Sequence, residues 1–228
     1  MTNLSEREKK MNNIFGLVVS IAFIAVIMLS GRLFEKAGKE ASRKFIHIML
    51  SNWWIIAMVF FENAWIAALM PAIFVVINYA SYKMNLIKVM EREAGDENKE
   101  SMGTVYYAIS LLVLSLITFG PLKNPLIGLC GIAVMGYGDG LAAVIGQSVK
   151  SPEYKVFGNK KTIAGSMTMF FVTLLIIAGF LQYSASEYIA IKSILIASLM
   201  TVIEAISIKG TDNITVPLLT SLMAFLML

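Results

Sequence analysis

Charge is scarce in this chain, and cysteine and histidine are almost absent. Only 15% of its 228 residues are Asp, Glu, Lys or Arg, and 57% are hydrophobic, with a mean hydropathy of +0.74. That balance excludes an ordinary soluble domain, in which about a quarter of residues are charged. Cys130 is the single cysteine, which excludes an intrachain disulfide and a multi-cysteine metal centre and leaves it as a small packing residue. There is no internal repeat and no low-complexity tract. The longest polar connection, about 82–102, is too short to build a core of its own, so a separate soluble domain is excluded.

What remains is apolar sequence in helix-sized lengths. A bilayer core of about 30 Å takes roughly 20 apolar residues per helix. Eight stretches fit, at about 13–31, 45–61, 64–81, 103–120, 124–147, 163–182, 188–207 and 213–228. Pro71, Pro125 and Pro217 fall in or at the start of such stretches, where they kink or initiate helices and move the count between seven and nine. The expectation is an all-α polytopic integral membrane helix bundle, one domain over 1–228. Arg7, Lys9 and Lys10 precede the first stretch in the manner of a secretory signal. Its apolar run is long for a signal core and no Ala-x-Ala site follows, so a retained helix is expected.

Loop charges orient the bundle. With eight spans, the odd-numbered connections carry 14 of the 19 basic residues, among them Arg32, Arg43, Lys44, Lys83, Arg92, Lys150, Lys160, Lys161 and Lys209. The positive-inside rule then puts those connections in the cytoplasm and both termini outside, in a cell membrane. The same basic face would touch anionic headgroups. The 82–102 connection mixes both signs and reads as a solvated amphipathic segment, and Tyr106 and Tyr107 just after it read as interface anchors.

Four polar groups fall at helix ends on that one side. Arg43, Lys44 and His47 share a helical face that continues through Ser51. His47 is either a headgroup-level hydrogen bonder or a participant in chemistry, and the two basic residues beside it suit an anion. Asp139 stands between Gly138 and Gly140 in an apolar stretch, where an ionised side chain costs about 2.5–3.5 kcal/mol even on the mildest insertion scale. With Ala142, Ala143 and Gly146 it forms a strip with little side-chain bulk. Such a strip suits close helix packing, or, with Gly136, Gly138 and Gly140 alternating, a broken helix lining a polar cavity. Gly158-Asn-Lys160-Lys161-Thr162, followed by Gly165 and Ser166, opens the sixth span. It reads as a helix N-terminal anion site or as a basic turn with a Thr cap. It is not a Walker A loop. Glu204 lies inside the seventh span, three residues from Thr201 and Ser207, on a stripe leading to Asp212 and Asn213. Asp212 also suits a helix cap.

In this order the motifs resemble those of the CTP-dependent lipid-alcohol kinases, the family of dolichol kinase, phytol and farnesol kinases and yeast-type diacylglycerol kinase. The matching pieces are Glu40-Ala-Ser-Arg43-Lys44-Phe-Ile-His47, Gly103-Thr-Val-Tyr106-Tyr107, Gly138-Asp139-Gly140 through Gly146, Lys161-Thr162-Ile-Ala-Gly165-Ser166, and Glu204 with Asp212-Asn213-Ile-Thr-Val-Pro217. They span roughly 40–220. The resemblance implies transfer of the terminal phosphoryl group of CTP to a membrane lipid alcohol (a polyprenol, a phytol-type prenol or diacylglycerol) at the cytoplasmic face, with Mg2+ as cofactor and no nucleic-acid partner. On it, Asp139 holds the magnesium with Asp212 and Glu204. Lys160, Lys161, Thr162, Gly165, Ser166, Gly138, Gly140 and Asn213 bind nucleotide, while Arg43 and Lys44 steady the transferring group and His47 takes the alcohol proton. Alternatively Asp139 is itself the base, with Glu204 and Asp212 on the metal. Two other readings use the same residues: a cytidylyltransferase of the phosphatidate type, and an ion- or proton-coupled transporter.

Overall fold

The computed structural model describes residues 2–34, 39–84, 102–157 and 159–228. Most of the 82–102 connection, Gly158 and the Glu40 side chain lie outside the described residues. The elements are α1 (Thr2–Phe34), α2 (Lys39–Ser51), α3 (Trp53–Phe60), α4 (Ala64–Met84), α5 (Gly103–Thr118), α6 (Pro125–Ala133), a π-helical turn (Val134–Asp139), α7 (Gly140–Ser148), the strands β1 (Glu153–Val156) and β2 (Asn159–Thr162), α8 (Ile163–Tyr183), α9 (Ile189–Ile206) and α10 (Asp212–Leu226). This is an all-α membrane bundle, with helices at each of the eight expected stretches. Among the described residues, five helical segments are long and apolar enough to cross a bilayer: Arg7–Gly31, Ala64–Met84, Pro125–Ser148, Ile163–Tyr183 and Ile189–Ile206. The apolar helices α5 and α10 are shorter.

Two expected spans are interrupted, each for a local reason. Asn52 separates α2 from α3, its side-chain amide donating to the carbonyls of Ile48 (3.2 Å) and Met49 (3.3 Å) and so competing with the helical ladder. Of the two readings of the glycines around Asp139, close helix packing or a broken helix, the structure shows the first: the chain passes through one π-helical turn and continues as α7, with no interval of open backbone. A π turn keeps the backbone hydrogen-bonded, which an apolar surrounding demands, while re-aiming the side chains at its end.

The core is held at its centre by two buried indoles on α3. Trp53 donates to the Ser20 hydroxyl of α1 (2.9 Å) and Trp54 to the Pro125 carbonyl at the start of α6 (2.9 Å). Each indole thus buries its ring while its N–H stays partnered, tying α3 to helices on either side. On the outer surface Trp65, Leu175, Val59 and Leu33 are largely exposed, as lipid-facing positions are. Helix alternation puts the starts of α2, α5, α8 and α10 and the ends of α4, α7 and α9 at one end of the bundle. At the other end Lys9 pairs with Glu62 at 2.8 Å, and Lys192 donates to the Met227 carbonyl at 2.7 Å.

The connection between α7 and α8 is an antiparallel β-hairpin, pairing Glu153 with Thr162 and Lys155 with Lys160. Nothing in the sequence reading foresaw it. A four-residue strand with two lysines carries no apolar alternation to announce itself.

Candidate active site

Four glycines explain how the carboxylate of Asp139 reaches its neighbours. A Cβ on Gly136 would overlap Ser51, one on Gly140 would overlap Ile48, and one on Gly138 would lie 2.7 Å from Met169 Sδ. The π turn is therefore gripped by α2 on one side and by α8 on the other. Gly146 continues this contact, where a Cβ would sit 2.7 Å from Thr162 Oγ1 and 3.4 Å from the Gly165 Cα. The low-bulk strip is used for close helix approach, and that approach presses Asp139 against basic residues of two other elements.

On the α2 side, Lys44 donates to Asp139 Oδ2 at 2.5 Å, and both side chains are buried. On the α8 side, Lys161 of β2 forms an ion pair with Glu204 near the end of α9. Asp212, in the first turn of α10, completes the group: Asp139, Glu204 and Asp212 each offer a carboxylate oxygen, all within 4.8 Å of one another. Asn213 orients Asp212, its backbone N–H and side-chain amide both donating to Oδ1 at 3.0 and 2.9 Å. Ser110 of α5 in turn donates to the Asn213 carbonyl at 2.7 Å.

The charges decide what this group can do. Three carboxylates so close repel strongly in a low-dielectric setting. Two lysines offset two of the charges, leaving a formal excess of one negative charge. Lys161, outside the membrane helices, shows the balance: burial works to lower its pKa, but Glu204, then Asp212 and Asp139, outweigh it and hold the ammonium above its ordinary value. An all-oxygen donor set with excess negative charge suits a hard divalent cation, which takes one or two carboxylates and completes its shell with water or phosphate oxygens. The residues present therefore fit magnesium.

Beside the acidic group lies an apolar cavity of about 240 Å³, walled by Ile24 and Met28 of α1, Trp53 of α3, Phe74 and Ile77 of α4, and Leu111 of α5. Its polar lining includes Arg43, His47, Asn213 and Tyr107. The His47 and Tyr107 rings lie 4.3 Å apart between centroids, tilted by 44° to one another. The Nε2 of His47 and the hydroxyl of Tyr107 are both buried and have no hydrogen-bond partner among the described residues.

The sequence-selected residues thus divide. Asp139, Lys44, Lys161, Glu204, Asp212, Asn213 and His47 are brought to one end of the bundle, and Arg43 lines the adjoining cavity. Lys160 is not with them: it is the strand neighbour of Lys161, points to the opposite hairpin face, and pairs with Glu153 at 2.5 Å in an exposed position. The donors expected at the start of α8 are spent inside the chain. Ile163 N–H goes to the Pro152 carbonyl (3.0 Å), Ala164 N–H to Ser151 Oγ (3.2 Å) and Gly165 N–H to the capping Thr162 hydroxyl (3.1 Å). The Ser166 hydroxyl meets Tyr154 at 2.5 Å. Thr162, Gly165 and Ser166 therefore build the helix start and its contact with α7, and the Thr-cap reading describes them. Gly138 and Gly140 serve the helix approach described above.

Tyr107 is the residue that the sequence reading misplaced. It is 5% exposed and lies in the core, whereas an interface anchor was expected. The signal was present: Tyr107, Leu111, Leu114 and Thr118 recur at helical spacing on the buried face of α5.

The chain is 29% identical over 217 residues to the phytol kinase of Synechocystis sp., covering 91% of this chain and 89% of that protein. It is 31% identical over 211 residues to a probable chloroplastic phytol kinase of Triticum aestivum, covering 83% of this chain and 68% of the relative. Over 207 residues it is 30% identical to chloroplastic phytol kinase 1 of Arabidopsis thaliana, covering 82% and 66%. No family model matches, and no solved structure matches. The fold and site define a membrane helix bundle with a buried carboxylate and lysine cluster beside an apolar cavity. The chain belongs to the lipid-alcohol kinase family that includes the phytol kinases.

Proposed function

We propose that this kinase moves the terminal phosphoryl group of CTP onto the hydroxyl of a lipid alcohol at the cytoplasmic face of a membrane, with both chain termini on the outer side. The observation that carries the reading is the junction of two unlike environments: an acidic cluster with two lysines adjoins, through Asn213 on Asp212, an apolar cavity whose wall includes the half-buried Met28 and Ile24 of α1 and exposed Ile77 of α4. A lipid tail entering between α1 and α4 would leave its hydroxyl beside His47 and the carboxylates. A phytol-type prenol is the first acceptor to try, because the relatives are named for it, and the apolar wall itself discriminates weakly among tails.

Phosphoryl transfer is catalysed mainly by positioning and by neutralising phosphate charge. Lys44 and Lys161 carry the cationic charge toward the phosphate oxygens, and Arg43 reaches the same region from the cavity side. Asp139, Glu204 and Asp212 would hold Mg2+, which supplies charge neutralisation on the phosphate oxygens. The alcohol oxygen attacks the terminal phosphorus, the bond to the bridging oxygen breaks, and CDP departs with the electron pair. The hydroxyl proton goes to His47 Nε2, which has no partner among the described residues. Lys161, rather than the exposed Lys160, contributes to nucleotide binding in this scheme, with Asn213 steadying Asp212.

The test is purified protein with CTP or ATP labelled at the terminal phosphate and a panel of lipid alcohols. The expected outcome is label in the lipid from CTP. Label transferred only from the first phosphate of CTP would make the protein a cytidylyltransferase, and transfer from ATP alone would overturn the choice of donor.

A further inference from the structure

We infer that Tyr107 is a substrate-contacting residue, donating its phenolic O–H to the oxygen of the acceptor alcohol and holding that oxygen toward His47. This rests on the kinase reading above and adds to it a residue for which neither the motifs nor the relatives supply a role.

The argument begins with a cost. A buried hydroxyl without a partner gives up its hydrogen bonds with water and gains none, a penalty of about 1–3 kcal/mol. In an apolar bundle no water is at hand to reduce it. Tyr107 bears that penalty at 95% burial, although phenylalanine would fill the same space without it. The histidine tilted against it bears another, since Nε2 of His47 is buried and without a partner among the described residues too. One isolated orphan is commonplace; two on touching rings, both lining one cavity, describe a place for a ligand with a polar head.

The two atoms are complementary in the way a hydroxyl requires. A phenol donates, an imidazole nitrogen accepts, and an alcohol can accept from the first while donating to the second. Ile24, Met28, Trp53, Phe74 and Leu111 supply apolar wall for a hydrocarbon tail, while Arg43, Asn78, Thr104 and Asn213 also line the cavity. The head group is also placed correctly for the chemistry: Asn213, which orients Asp212, lines the same cavity. Tyr107 therefore orients the nucleophile, and the carboxylate and lysine cluster deals with the phosphate.

The experiment compares the wild type with Tyr107→Phe, using phytol and its hydrocarbon analogue without the hydroxyl. Thermal unfolding in detergent is read with each ligand, and kinetics with the alcohol alone. The wild type is expected to be stabilised more by the alcohol than by the hydrocarbon, and the variant equally by both. The variant's kcat/KM for the alcohol should fall about tenfold, the worth of one good hydrogen bond, with KM for the nucleotide unchanged. Without ligand the variant should unfold at the same temperature or higher, which separates a substrate contact from a structural one. An undiminished preference for the alcohol in Tyr107→Phe overturns the assignment, whether or not the protein turns the alcohol over. A wild type that prefers the alcohol but transfers no phosphate to it would count against the kinase reading while leaving Tyr107 in place.

Discussion

Two cavities flank the second membrane segment, and they differ in the way that matters. The one between α1, α2, α4 and α5 has a volume of about 240 Å³ and ends at His47, Arg43, Tyr107 and Asn213. The other, about 400 Å³, is walled by Ile55, Leu126, Leu129, Ile176 and Phe180 and ends at Tyr137, whose hydroxyl donates to Asn52 Oδ1 at 2.9 Å. The larger cavity has its polar group satisfied by the protein. The smaller keeps two polar atoms unsatisfied and opens toward a charged cluster. Apolar volume in a membrane bundle costs little to leave beside lipid and says little about function. Polar atoms left without partners next to that volume cost a good deal, and they mark the site.

The strongest way to break this comparison is at the charged cluster. Asp139→Asn should reduce turnover by at least about a thousandfold, because it removes a carboxylate held against both Lys44 and the other two acids. Asparagine keeps an oxygen for the Lys44 ammonium, so the protein should still insert and extract from membranes as a monodisperse species. Full removal of one partner from a buried pair would cost about 3–5 kcal/mol, which is why alanine is the poorer choice here. Turnover within tenfold of wild type would take Asp139 out of the mechanism and make the cluster a structural ion-pair network.

Much of that cluster was legible before any coordinates. Asp139 and Glu204 stood out because charge inside an apolar stretch is costly, and Lys44, Lys161 and Asp212 because loop charges put them at the same end. Helical stretches were legible for the same reason of length and hydropathy. What was hidden depends on which way a residue faces. Lys160 and Lys161 are equivalent in a basic turn, and only the hairpin register sends one to Glu153 and the other to Glu204. The Gly165 N–H looked available to phosphate until Thr162 proved to accept it. Glycines about Asp139 suggested a break, yet the side chains of Ser51, Ile48 and Met169 pack where their Cβ atoms would be, so the helix continues through a π turn. Tyr107 was hidden by position, since a tyrosine near the start of a membrane helix ordinarily anchors in headgroups.

A smaller effect sharpens the comparison by filling each cavity in turn. Ala108, 2% exposed, lines the smaller one, and Ala108→Leu should raise the KM for the lipid alcohol about tenfold or more while leaving the KM for nucleotide unchanged. Gly179 lines the larger one, and a Cβ added there meets nothing within 4 Å. Gly179→Leu should therefore leave both constants within about twofold, the scatter expected for a substitution without a substrate contact. Steady-state kinetics in detergent micelles at fixed lipid mole fraction measure both variants. Equal impairment would mean that the alcohol occupies the larger cavity, and the argument from unsatisfied polar atoms would fail.

The smallest expected effect comes from comparing the two tyrosines. Tyr137→Phe deletes a hydrogen bond that the protein itself completes, so its effect belongs to stability: a loss of about 0.6–1 kcal/mol, the usual worth of such a bond in a membrane bundle, with kinetic constants unchanged. Tyr107→Phe deletes a hydroxyl that the protein leaves unpaired, so its effect belongs to substrate use and not to stability. The same atom is removed from the same residue type in both variants. If each loses both stability and activity, the hydroxyls are equivalent packing features. If the losses separate, one tyrosine shapes the bundle and the other reads the alcohol, and thermal unfolding beside alcohol kinetics on the two variants decides between these outcomes.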